Sequence, residues 1–304
     1  MALLFQEVCQ LTDGKTHSKS REPTPDCKIT KKRTEMIQDE KQYFCAPMSK
    51  IYTTEIASDQ ITSDNPLHQR LLKPYVVAHQ WVKGDLLEVG CGEGRGIECL
   101  LPSVSTYSAI DKIESAVARL REKYPLGKFV SGHLPPLPYL DASFDAVVSF
   151  QVIEHIENDV LFLKEIFRVL RPGGVVLITT PNRRMSLSRN PWHVREYSAD
   201  ELTTLTQTIF PNVEMKGISG NDKVMSYHER NKKSVAKIMR WDIFDLQHRL
   251  PAPLLRIPYD LMNRRNRNKL QNAADELVVS ISHEDYLVTN NASSALDLFL
   301  VAKK

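Results

Sequence analysis

No uninterrupted apolar run in these 304 residues approaches the roughly 18 that a membrane-spanning helix needs. Cysteine is scarce: five in all, at 9, 27, 45, 91 and 99, an odd number with no Cys-x-x-Cys pair. That argues against a disulfide framework and a structural zinc site, and makes a reducing cytoplasm the expected compartment. Neither charge is in excess. Forty Lys+Arg face 37 Asp+Glu, a net of +3, too even a balance to argue for a polyanionic partner, although it can hide a local imbalance. The opening Met-Ala-Leu-Leu-Phe is too short for a signal-peptide core and has no basic lead. There are no internal repeats. What remains is ordinary for a globular protein: 42% hydrophobic and 25% charged residues, enough chain for one large domain or two modest ones with a sizeable core.

Residues 1–47 mix Thr, Ser, Lys, Asp and Pro without a sustained apolar period, and are expected to be mostly disordered. Met48 stands at the end of this stretch, and a translation start there is an equally good account of the leader. From Pro66 the pattern changes. Pro66–Leu72 and Tyr75–Val77 fit an amphipathic helix interrupted near Pro74. Short apolar runs follow at 85–89, 107–110, 128–130, 144–149 and 175–179, separated by helical periodicity at 94–100, 114–124 and 158–170. Alternating strand and helix predict an α/β fold, a doubly wound, mostly parallel sheet. Arg171-Pro172-Gly173-Gly174 reads as a turn. A helix at 198–207, a strand at 212–217 and a last strand at 295–302 complete the pattern. Residues 222–270 conceal a charge imbalance, with 12 Lys+Arg against 5 Asp+Glu, and read as a helical insertion. The expected division is a leader 1–47, a core 48–221, a helical cap 222–290 and a terminal strand of the core at 291–304.

Leu87-Glu88-Val89-Gly90-Cys91-Gly92-Glu93-Gly94 follows a strand and opens a helix. Glycines let the chain turn sharply and a ligand approach the backbone, and the helix start adds unpaired N–H groups. Asp111 ends the second strand, where an open α/β sheet presents a carboxylate to ribose hydroxyls. A glycine loop alone is also found in nicotinamide-binding folds. The acid before Gly-x-Gly-x-Gly is more specific: Glu88–Gly94 resembles the first motif of class I S-adenosylmethionine-dependent methyltransferases. Tyr107–Lys112, Leu137–Tyr139 with Ser143–Val148, Glu154-His155-Ile156 and Leu170–Thr179 resemble that family's later segments, in order, over roughly residues 80–182. The resemblance implies a seven-stranded Rossmann-like sheet with an antiparallel terminal hairpin, and S-adenosyl-L-methionine as cofactor. It implies that the backbone of Gly90 and Gly92 lies against the cofactor's methionine part, with Cys91 and Gly94 also in the cofactor loop. Glu88 would help hold its ammonium, directly or through water; Asp111 would take both ribose hydroxyls; and Lys112 or Ile113 would flank the adenine. Leu134 and Gln151 complete the implied cofactor set. Gly132-His133 stands where the family often has Gly-Asp, so a neutral His133 nitrogen or a backbone group would substitute.

The segment after the fourth strand, Ser149-Phe150-Gln151-Val152, is not the Asn/Asp-Pro-Pro-aromatic motif of base-amine methyltransferases, and no cysteine follows a proline. Both absences argue against DNA base methylation. Gln151, Glu154, His155 and His193 form the suggestive cluster. It is similar to Glu-x-x-Glu-His in small-RNA 2′-O-methyltransferases and ubiquinone-type O-methyltransferases, through which a divalent metal binds. Here Gln151 replaces the first Glu, and an amide is a poorer ligand for a hard cation, so no metal is expected. His193 is the candidate catalytic base or acceptor contact, with a structural loop histidine as the equal alternative. Trp192, Arg195 and Tyr197 are expected as neighbours over the pocket, a pairing that suits a sugar or lipid-linked glycan. The run Arg264-Arg265-Asn266-Arg267-Asn268-Lys269 reads as a solvated helix face, with contact to RNA phosphate or peripheral contact to an anionic membrane as the other readings. The expected function is methyl transfer to a small-molecule acceptor, at oxygen rather than nitrogen, without a nucleic-acid partner. An RNA 2′-O-methyltransferase and a non-catalytic cofactor-binding protein are the rival readings. The sequence is silent on oligomeric state.

Overall fold

The computed structural model describes residues 62–240, 249–273 and 275–304. The leader expected at 1–47, Met48, the cysteines at 9, 27 and 45, and the apolar positions Ile243, Phe244 and Leu246 lie outside the described residues.

The apolar runs form the strands of one sheet. The parallel part comprises β1 (Asp85–Val89), β2 (Thr106–Asp111), β3 (Lys128–Ser131), β4 (Phe144–Phe150) and β5 (Leu170–Pro181). β6 (Asn212–Gly220), β7 (Tyr286–Thr289) and β8 (Asp297–Lys303) extend it antiparallel, in the order β3-β2-β1-β4-β5-β8-β6-β7. Among the described residues the sheet therefore has eight strands rather than the seven expected. The extra one, β7, lies inside the segment read as wholly helical. Its four residues pair Tyr286 with Gly220 and Thr289 with Gly217, and only that distant partner makes them a strand.

Helices are α1 (Asn65–Ala78), α2 (Ile97–Leu100), α3 (Glu114–Lys123), α4 (Asp159–Val169), α5 (Ala199–Gln207), α6 (Asp222–Met239), α7 (Ala252–Ala273) and α8 (Asp275–Ser280). Burial on both faces explains the near-continuous hydrophobic strands. Alternate residues separate to opposite faces. Leu86, Ala109, Val148, Leu177, Phe299 and Val301 join Tyr75 of α1, Ile97 of α2 and Val117 of α3. Leu87, Ile110, Val147, Ile178, Leu298 and Leu300 join α4 and α5 on the other side. α4 buries Phe162, Leu163, Ile166 and Val169, a helical stripe. Each such side chain contributes about 1.5–3 kcal/mol.

Two local expectations are corrected. α1 continues through Pro74 instead of breaking there, because Pro74, Tyr75, Val77 and Ala78 are all buried, which offsets the ~3 kcal/mol cost of an interior proline. Arg171–Gly174 is not a turn before the fifth strand but a bulge within it. Phe144 pairs with Leu170 and Ala146 with Val175, so four residues of β5 bow out opposite one step of β4. Arg171 then reaches Asp85 and Asp145, at 2.8 and 2.6 Å, tying the bulge to the start of β1.

β1 has β2 on one side and β4 on the other, the switch point at which an open α/β sheet leaves a crevice beyond its strand ends. The expected glycine loop, Asp111 and Gln151 all stand at that edge.

Candidate active site

β1 ends in Gly90, whose φ of +84° only glycine adopts at little cost, and a Cβ there would lie 2.3 Å from Val152 Cγ2. Gly92, at φ +52°, faces open space, with nothing within 4 Å of the position a Cβ would take. Asp111 secures the loop from the end of β2. Its Oδ2 accepts from Gly92 N–H at 2.7 Å and its Oδ1 from Ile113 N–H at 2.9 Å. Burial pushes the Cys91 thiol up, which suits a packing residue.

A cavity of 1040 Å³ opens against this loop. Gly90, Cys91, Gly92, Gly94, Asp111, Lys112, His133, Leu134 and Gln151, all expected at a ligand, line it. Glu88 does not. It is 1% exposed, and its carboxylate accepts from the hydroxyls of Tyr75, at 2.7 Å, and Tyr107. Burial holds this carboxyl above its ordinary range against those two donors, with the Asp111 charge adding to the rise. Glu88 was expected to hold a ligand's ammonium directly or through water; the structure places it behind Tyr75, which lines the cavity packed edge-on to Phe150 with ring centroids 4.7 Å apart. Neither Tyr75 nor Phe150 was singled out from sequence, and no motif marks them.

Gln151, at the end of β4, has φ +60°, a sparsely populated conformation for a residue with a side chain. Its amide donates to Thr179 Oγ1 at 3.3 Å and its backbone N–H to the Thr179 carbonyl at 2.8 Å. Gln151 and His155 line the large cavity and also a second one of 300 Å³. Helices α6 and α7 line that smaller cavity, α6 through Tyr227, His228 and Asn231 and α7 through Tyr259, Asn263, Asn266 and Arg267.

Glu154, His155 and His193 meet at the wall of the smaller cavity. One ligand-type atom from each lies within 4.8 Å of the others, close enough to hold a metal ion, and the imidazole centroids are 5.0 Å apart. His155 Nδ1–H donates to the Trp192 carbonyl at 2.9 Å. His193 Nδ1–H donates to Glu196 Oε1 at 2.7 Å, which leaves its lone pair at Nε2, where the Asn190 amide donates at 2.8 Å. Burial alone would raise the Glu196 carboxyl, yet hydrogen bonds from His193 and Ser186 bring it below its ordinary value. Glu154 is 1% exposed and accepts from Thr180 at 3.0 Å. Burial pushes its carboxyl up to about 7 despite the nearby His193.

Of the expected aromatic–arginine neighbours, only Trp192 lines a cavity. Arg195 and Tyr197 turn instead to Asp159 at the start of α4, where Tyr197 OH donates to Oδ2 at 2.8 Å. A buried carboxylate attracts both and takes them off the pocket. The arginine over Trp192 is Arg256 of the cap, 4.2 Å from the ring centroid, a contact that sequence distance conceals.

The family model described as a methyltransferase domain matches residues 87–178. A probable S-adenosylmethionine-dependent methyltransferase of Mycolicibacterium smegmatis is 46% identical over 143 residues, covering 45% of this chain and 56% of the relative. A protein of the same description from Mycobacterium tuberculosis is 41% identical over 164 residues, 51% of this chain and 60% of the relative. The chain thus spans little more than half the length of these curated relatives. Among solved structures, a methyltransferase from Thermotoga maritima described as a possible histamine N-methyltransferase superposes with a TM-score of 0.51 at 15% identity, covering 79% of this chain and 91% of its own. At that identity the likeness is one of fold.

Proposed function

We propose that the chain carries a class I S-adenosylmethionine-dependent methyltransferase domain, a reading that the family match and the curated relatives support, and that the protein moves the methyl group of that cofactor to a hydroxyl oxygen of a glycan or lipid-linked small molecule. The observation that carries this reading is the shared wall: Gln151 and His155 face both cavities, so a methyl group needs to cross only that partition.

The residues on the larger cavity suit the cofactor. Gly92 leaves an open cradle. A carboxylate has about four acceptor sites, and backbone N–H groups take two of those on Asp111, leaving capacity for a vicinal ribose diol. Tyr75, with Glu88 behind it, would meet the amino-acid end. Lys112 and Ile113 would flank the adenine, and His133 and Leu134 would border it. When bound, S-adenosylmethionine supplies a methyl group already activated on a sulfonium. The chain's own work is to orient the acceptor, exclude water and take the acceptor's proton.

His193 suits the last task. Glu196 holds it in the tautomer with its lone pair at Nε2, the arrangement that makes an imidazole a general base. An acceptor hydroxyl that displaces the Asn190 amide from Nε2 would hand its proton to His193 as its oxygen takes the methyl group. The smaller cavity combines planar amides (Asn231, Asn263), cations (Arg70, Arg267) and aromatic faces (Trp192, Tyr259), a lining suited to a polyol ring.

Incubation of the full chain with isotopically labelled S-adenosylmethionine and a panel of acceptors, read by mass spectrometry, tests the reading. It expects label on a hydroxyl oxygen of a sugar or glycolipid. Label on nitrogen, or on RNA with binding that weakens steeply with salt, would overturn it. Cofactor binding without turnover of any acceptor, and no effect of His193→Ala, would favour a binding protein. Because His193 acts here as a base without a metal, activity is expected to survive exhaustive chelation. Loss on chelation with recovery on added Mn²⁺ would instead make Glu154, His155 and His193 a metal site.

A further inference from the structure

Helix α7 is amphipathic in the opposite sense to a helix that faces water. Several of its polar side chains turn inward. Asp260 accepts from Trp192 Nε1 at 3.2 Å, Asn266 is 8% exposed and bonds Asn231 and Ser234 of α6, and Arg267 pairs with Asp64 at 3.0 Å. Three of its apolar side chains turn outward: Leu254 is 64% exposed, Ile257 79% and Leu261 69%. These three sit at i, i+3 and i+7, one stripe of the helix, with Met262 beside them. The stripe continues at i+4 steps from Leu261 into Arg265 and Lys269, both exposed. Contiguous apolar exposure of this kind marks a surface that meets something other than water.

We propose that this face of α7 docks on an anionic lipid bilayer, lying in the interface with Leu254, Ile257 and Leu261 among the acyl chains and Arg265 and Lys269 at the headgroups. Charge selects this occupant. Residues 222–270 carry 12 Lys+Arg against 5 Asp+Glu, and exposed Arg230, Lys233 and Lys237 of α6 and Arg240 just past it are among them. A second copy of the chain, related by a twofold axis, would set two such basic faces against each other. An anionic membrane surface attracts each cation by about 1 kcal/mol. Among the described residues no helix is long and apolar enough to cross a membrane, so α7 lies on the surface rather than spanning it. The opposite face of the same helix lines the smaller cavity. If the reading under Proposed function holds, a lipid-linked acceptor would therefore reach that cavity from the bilayer on which α7 rests.

Co-sedimentation of the full chain with vesicles tests the docking without any acceptor or turnover. Phosphatidylglycerol-rich vesicles are expected to bind the protein, and phosphatidylcholine vesicles to bind it at least about tenfold more weakly. Ile257→Asp with Leu261→Asp is expected to weaken binding to the anionic vesicles by about tenfold or more per residue. Circular dichroism and S-adenosylhomocysteine binding should stay unchanged in that variant. Arg265→Gln with Lys269→Gln is expected to lower anionic binding alone. Failure to bind anionic vesicles, or binding indifferent to both pairs of substitutions, would overturn the proposal. So would a dimer in sedimentation equilibrium that the Asp pair dissociates, found without vesicle binding. Methyl transfer in solution with no vesicle binding would sink the docking and leave the function standing.

Discussion

Asp111 does two tasks with one carboxylate. It accepts from the backbone of the glycine loop and, under the proposed function, would hold the ribose diol. Hydrogen bonds to a charged group contribute about 1.5–3 kcal/mol each, so Asp111→Ala is expected to weaken S-adenosylhomocysteine binding by about 10- to 100-fold in a calorimetric titration. Glu88 acts behind the surface instead. Burial raises its carboxyl above the ordinary value of 4.5. The stability associated with its protonated form is therefore fully present below that ordinary value and lost as pH rises through the raised one. Glu88→Gln should escape this loss. Denaturant unfolding between about pH 4 and pH 8 is expected to show the variant gaining on the parent as pH rises. The acid before the loop was legible as a motif, but its partners were not. Tyr75 lies on a helix whose sequence carries no functional signal, and it meets Glu88 only because α1 packs over β1.

At the level of single elements, patterns were legible where the signal is local. α5 begins where expected because Ser198 and Glu201 form a reciprocal capping box, with Ser198 N–H donating to Glu201 Oε2 at 2.8 Å and Glu201 N–H to Ser198 Oγ at 3.4 Å. Ser198→Ala is expected to cost about 1 kcal/mol, visible as a lower denaturant midpoint with unchanged slope. β7 was not legible, since Tyr-Leu-Val-Thr has too few residues to display a period and needs β6 beside it. The Pro-Gly-Gly of β5 misleads for a related reason. Residues that favour a turn in isolation are held as a bulge when the strand on both sides of them is paired. Arg195 was expected over the pocket on proximity to Trp192, but the buried Asp159 is the stronger attractor.

Across the molecule, the two cavities join segments far apart in the chain. Gln151 and His155 come from the end of β4, His193 from the loop after β5, and Asn263 from the cap. The core and cap should therefore separate in kinetics. Asn263→Ala is expected to raise the acceptor KM by up to about tenfold while leaving S-adenosylhomocysteine affinity unchanged, measured once the acceptor screen has yielded a substrate. An equal change in both would mean that the cap supports the cofactor cavity instead.

The α/β alternation, the glycine loop and the carboxylate at the end of β2 could be read from residues alone. Each depends on a short-range pattern: a strand's hydrophobic run, a turn only glycine can make, an acid at a strand terminus. Which arginine lies on Trp192, which aromatic shields Glu88, and which histidine shares a wall with both cavities were settled by packing between segments tens of residues apart. The outward apolar stripe of α7 belongs to both. Its spacing is in the sequence, but only the folded chain shows which side of that helix is already taken, because burial is decided by what packs against a face and not by the face's composition.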